Sequence, residues 1–109
     1  MPSTRELAAA RGLLRRAGID LAHYAPGRLR LRVARIKTDA PFAARLQDRL
    51  AAVPGVRKLE LRPLTGSVLI EFAADTLAQA PARTMLLDTL TTLFPGVDGE
   101  LLGRLLAEL

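Results

Sequence analysis

Between residues 28 and 36 the chain reads Arg-Leu-Arg-Leu-Arg-Val-Ala-Arg-Ile, and this run restricts the fold more than any other. Strict alternation of charged and apolar residues matches the period of an extended strand. It puts Leu29, Leu31 and Val33 on one face and Arg28, Arg30 and Arg32 on the other. A strand over 28–36 therefore belongs to a sheet with one face on a core and one in solvent. Two more alternating runs follow. Residues 56–62 put Leu59 and Leu61 inward, with Lys58, Glu60 and Arg62 outward, and residues 67–72 put Val68, Ile70 and Phe72 inward. Pro63-Leu64-Thr65-Gly66 is turn chemistry, so these two strands form a hairpin.

Helical spacing fills the intervals. Phe42, Leu46, Leu50 and Val53 recur as a buried stripe, with Thr38 or Asp39 as cap and Pro41 in the first turn, and Pro54-Gly55 ends the helix. A helix beginning near Pro81 and running to about Phe94 carries Met85, Leu86, Leu90 and Leu93. Asp75 or Thr76 starts a loose turn before it. At the N-terminus Ser3-Thr4-Arg5-Glu6 reads as a capping box. It opens a helix with Leu7, Ala10, Leu13, Leu14 and Ala17 on one side, stopped at Gly18. Residues 19–24 read as a short connector, compatible with an extended conformation, before the Pro26-Gly27 break. Residues 93–97, Leu-Phe-Pro-Gly-Val, echo Ala-Val-Pro-Gly-Val at 52–56, where a helix passes into a strand. The repeat would make Val97 open a strand, but residues 100–109 have helical periodicity, and a helix is expected there.

The expected class is α+β: a ferredoxin-like βαββα core, an added N-terminal helix, and a C-terminal helix in place of the fourth strand. The expected divisions are 1–18 for the N-terminal helix, 19–96 for the core domain and 97–109 for the C-terminal helix. With no fourth strand, the strand at 28–36 would be an open sheet edge. Such an edge invites a homodimer, a partner, or pairing with residues 19–24. Leu101, Leu102, Leu105, Leu106 and Leu109 are the candidate oligomer or partner contacts.

The chain has 109 residues and a net charge of +5, with 16 basic residues of which all but Lys37 and Lys58 are arginine. That balance suits an acidic protein, a nucleic acid or an anionic membrane surface. Cysteine is absent, which removes disulfides, thiolate zinc sites and thiol redox chemistry. No apolar run approaches membrane-spanning length and no signal pattern opens the chain, so the expected location is the cytoplasm, with any membrane link peripheral or through a partner. No nucleophile–base pair or phosphate loop is visible, and no enzyme activity is expected. Nucleic acid fits poorly, because the arginine face carries no stacking aromatics.

The run His23-Tyr24-Ala25-Pro26-Gly27-Arg28-Leu29-Arg30-Leu31-Arg32 resembles the heavy-metal-associated-like (HMA-like) domain family, in the variant that lacks the metal-binding cysteines. Leu46, Leu50, Pro54-Gly55-Val56 and residues 63–70, Pro-Leu-Thr-Gly-Ser-Val-Leu-Ile, extend the match to about half the chain. The resemblance implies a ferredoxin-like domain in or beside metal-transporting P-type ATPases, and a role in metal homeostasis with iron as a candidate. The loop that carries cysteines in metallochaperone relatives reads Ile36-Lys37-Thr38-Asp39-Ala40-Pro41 here, so thiolate capture of Cu(I) or Zn(II) is rejected.

The expected function is a non-catalytic adaptor that docks a transporter or a storage assembly. Arg28, Arg30, Arg32, Arg35, Lys58 and Arg62 are the candidate partner- or anion-binding residues. The alternatives are direct binding of iron, haem or a phosphate-bearing anion, with His23 and Tyr24 as candidate ligands, and a cargo protein addressed by its N-terminal helix. His23 and Tyr24 are adjacent on an extended segment, so they should point to opposite faces and not share one ion.

Overall fold

The computed structural model describes residues 4–77 and 79–107. Helix α1 (Thr4–Arg16) leads into β1 (Ile19–Ala25) and β2 (Arg28–Val33). A 3-10 turn (Ala34–Lys37) and α2 (Ala40–Ala51) follow, then β3 (Val56–Arg62), β4 (Ser67–Phe72), the short α3 (Ala74–Leu77), α4 (Ala80–Leu93) and α5 (Gly99–Ala107). The class is α+β, and the β2-α2-β3-β4-α4 succession is the expected βαββα core.

The four strands form one antiparallel sheet in the order β1-β2-β4-β3. The C-terminal segment is helical as expected, but the fourth place in the sheet is not vacant. The 19–24 segment is a full strand rather than a connector, and it pairs along β2 from Ile19↔Val33 to Ala25↔Arg28. The open edge expected at the first core strand is therefore covered from within the chain. The new edge, β1, has its register broken between Leu21 and His23. Such a bulge discourages further strand addition. Arg11 of α1 donates from Nε to the Leu21 carbonyl there, at 3.4 Å.

The strand expected over 28–36 stops at Val33, where the chain tightens into the 3-10 turn and buries Ile36. Asp39 is the N-cap of α2: its carboxylate accepts from the Phe42 amide at 3.0 Å, and Pro41 lies in the first turn. Ser3, the first residue of the expected capping box of α1, lies outside the described residues, as does the side chain of Glu6.

One face of the sheet carries the helices. Val68, Leu31, Ile70 and Leu21 meet Leu13 of α1, Phe42, Leu46 and Leu50 of α2, Leu93 of α4 and Leu102 of α5 in a single cluster. Phe42 is fully buried and meets Phe94 edge to face at 5.4 Å. Three positions depart from the expected α4 stripe. Met85 is 40% exposed, while Ala82 and Thr89 are buried.

Both hairpin turns need glycine. The Pro26-Gly27 loop joins β1 to β2 in two residues, with Gly27 at φ +79°. Gly66, at φ +74°, passes so close to β2 that a Cβ would lie 3.1 Å from the Val33 carbonyl oxygen, while its own carbonyl accepts from the Val33 amide at 2.8 Å. Gly66→Ala is expected to destabilise by about 1–3 kcal/mol through left-handed strain and this contact. Chemical denaturation that finds no loss would contradict that geometry.

Candidate docking face

The face of the sheet opposite the helices is built by the alternation read in the sequence. Cross-strand neighbours stand in three rows: Ala25–Arg28–Glu71–Lys58, His23–Arg30–Leu69–Glu60 and Asp20–Arg32–Ser67–Arg62. Arg28, Arg30, Arg32, Lys58 and Arg62 are all exposed on it. The carboxylates of Asp20, Glu60 and Glu71 offset part of this charge, and cations remain in excess.

Within the face, the register sets Arg28 opposite Glu71 and Arg30 opposite Leu69. Among the described residues, Arg28, Arg30 and Arg32 make no ion pair within 4.0 Å. Arg62 does, holding Glu60 at 2.9 Å. That hydrogen bond and charge, with smaller help from Lys58 and Arg30, keep the Glu60 carboxyl below its ordinary value. Three unpaired guanidiniums side by side on one strand repel one another and stay available to an oxygen-rich partner.

Leu69 lies in the middle row and is only 9% exposed, although it points away from the core. Arg30, Arg32, Glu60, Arg62, Thr65 and Ser67 surround it in a concavity of about 150 Å³. A second concavity, of about 310 Å³, shares Arg32 and Thr65 with the first and extends the basic surface to Arg15 and Lys37. An apolar centre ringed by cations has the layout of an interface patch.

Arg35 is not part of this face. It lies on the 3-10 turn, bonds Asp39 at 3.1 Å and stacks its guanidinium 4.0 Å above the Phe42 ring, so it serves the start of α2. The Phe42 amide, followed by Arg35, holds the Asp39 carboxyl below its ordinary value. With the folded value depressed, the stabilisation is full above the ordinary carboxylate range and is lost as pH falls through the folded value. Asp39→Asn keeps a capping oxygen and loses the charge. It is expected to flatten the acid limb of a Tm–pH profile by lowering the neutral plateau slightly, the two proteins converging at low pH; an unaltered acid limb would contradict this role.

His23 stands on the open face opposite Arg30, and Tyr24 turns to the core face opposite Leu29. The two do not converge on one ion. Among the described residues, no group of three or more His, Cys, Asp or Glu side chains could hold a metal. Of the C-terminal leucines, Leu102 is buried in the core and Leu101 is 40% exposed. The side chains of Leu105 and Leu106, and Leu109 altogether, lie outside the described residues. The apolar side of α1 is occupied internally, with Leu13 buried and Leu7, Leu14 and Ala17 packed against the core. No helix among the described residues is long and apolar enough to cross a membrane.

Sequence reasoning overlooked Leu69 and the contribution of β1 to the face. Leu69 had a signal: it is the single leucine at an outward position of its alternating strand.

Comparison with known proteins gave a family match: the model of heavy metal associated domain 2 covers residues 3–90, most of the chain, from α1 into α4. Neither the curated proteins nor the solved structures gave a match. The antiparallel sheet, the cysteine-free loop and this match together place the molecule: the chain belongs to the heavy metal associated domain 2 family.

Proposed function

We propose that this chain is a non-catalytic adaptor in metal homeostasis, which docks an acidic surface of a protein partner through the open face of its sheet. Family membership supports the link to metals. The observation that carries the docking role is the row of Arg28, Arg30 and Arg32, exposed and without ion pairs among the described residues, beside the sheltered Leu69. Guanidinium forks match carboxylates in pairs, and a cationic ring around an apolar centre favours a protein surface over a small ion. The partner class is a metal-transporting ATPase or a metal-storage assembly in the same compartment, with iron as the candidate metal. The chain itself would hold no metal, because it has no thiolate and its one histidine stands apart from Tyr24.

Elemental analysis and absorbance of the purified chain test this division of labour. The adaptor reading expects no metal or haem at a fixed ratio. A stoichiometric metal or haem that disappears in His23→Ala would overturn it in favour of direct ligand binding.

A further inference from the structure

Beneath the helices lies a cavity of about 100 Å³, enclosed by α1, α4, α5, the helix-covered face of the sheet and one side of α2. Protein interiors are normally packed to the density of organic crystals, with few voids larger than a water molecule. Seventeen of the described residues line this one, and all but Tyr24 have purely hydrocarbon side chains. Leu31, Val33, Val68 and Ile70 form its floor on the sheet. A water there would need two to four polar partners, and among the described residues the lining side chains offer only one hydroxyl. Apolar cavities of this order stay dry and accept small hydrocarbons.

The burial pattern locates the way in. The deep lining is buried, whereas Leu7 and Leu14 of α1, Tyr24 and Leu29 at the β1–β2 turn end, and Leu86 and Leu90 of α4 are only half-buried. Tyr24 therefore stands at the rim and carries the one polar side-chain group of the lining among the described residues. A phenol at the rim suits a polar head on a chain whose tail enters the cavity.

We infer that this cavity is a binding site for the end of a single hydrocarbon chain bearing a hydroxyl or carboxyl head, which hydrogen-bonds the Tyr24 hydroxyl at the rim. The site lies on the opposite side of the sheet from the arginine row and is independent of it.

Methyl-resolved NMR of the full chain, titrated with 1-hexanol, tests the inference. Saturable shifts are expected for the methyls of Leu21, Ile70 and Leu90, which line the cavity, and not for Ile36 and Val53, which are buried but lie outside it. Tyr24→Phe is expected to weaken binding about fivefold by removing one hydrogen bond. Ala10→Leu, which adds volume to the lining, is expected to abolish the saturable shifts. If that variant does not fold, Leu14→Phe makes the same test. No saturable shift in the wild-type chain, or equal shifts at Ile36 and Val53, would overturn the site. An unchanged affinity in Tyr24→Phe would overturn the placement of the head.

Discussion

Phe42→Ala is expected to bring the protein to the margin of stability. The ring is fully buried, meets Phe94 edge to face at 5.4 Å, and is capped by the Arg35 guanidinium at 4.0 Å. Truncation removes the transfer free energy of the ring and leaves a hole between α2 and the segment after α4. Substitutions of this kind cost about 3–5 kcal/mol, against a total of about 5–15 kcal/mol for a typical domain. Urea unfolding followed by circular dichroism should show the midpoint fall sharply with the slope unchanged. Phe42→Leu should lose less, since it retains part of the buried volume. A loss below about 1 kcal/mol for Phe42→Ala would mean that this ring is not the centre of the core.

Simultaneous replacement of Arg28, Arg30 and Arg32 by Glu is expected to have the opposite profile, with a small effect on folding and a large one on association. All three side chains are exposed, and none makes an ion pair among the described residues. Surface changes of this kind usually alter stability by less than about 0.5 kcal/mol each. Repulsion from Glu71 and Glu60, which share the face, adds to that cost. Affinity for an acidic partner should fall by about 100-fold or more, because attraction is turned into like-charge contact. Binding by the wild-type chain should also weaken as salt rises, since exposed charges are screened. Circular dichroism checks that the variant folds, and a binding titration at two salt concentrations checks the charge dependence. A folded variant that binds its partner as the wild-type chain does would refute the docking face.

The core of the fold was legible because its signals are local and periodic. Arg-Leu alternation marks β2, the hairpin residues mark β3–β4, and Asp39 with Pro41 marks the start of α2. Strand β1 was hidden by its own bulge. Ile19 and Leu21 alternate inward, but the register shift before His23 puts Tyr24, rather than His23, back on the core face. The period of two is lost after three residues. The register of β2 against β4 was not legible, because no turn joins the two strands and nothing local fixes it; the whole chain sets Arg28 opposite Glu71. Arg35 was read with the arginine row because the strand was extended through it. The 3-10 turn at Ala34 redirects it to Asp39 and Phe42. In α4 the apolar residues spread around the helix, so the sequence pattern did not single out Ala82 and Thr89 as the buried side and Met85 as exposed. The cavity has no sequence signature, since it arises from how α1, α4 and α5 rest on the sheet rather than from any one element.

The most direct test of the adaptor account is capture from the native cell at low salt, with the tagged wild-type chain and its Arg28/Arg30/Arg32→Glu variant side by side. Mass spectrometry and elemental analysis are made on the same eluates. The account predicts a metal-transporting ATPase or a storage-assembly protein with the wild-type chain, absent from the variant. Metal or haem at a fixed ratio to the chain with no protein partner, or a partner retained equally by both chains, would contradict it.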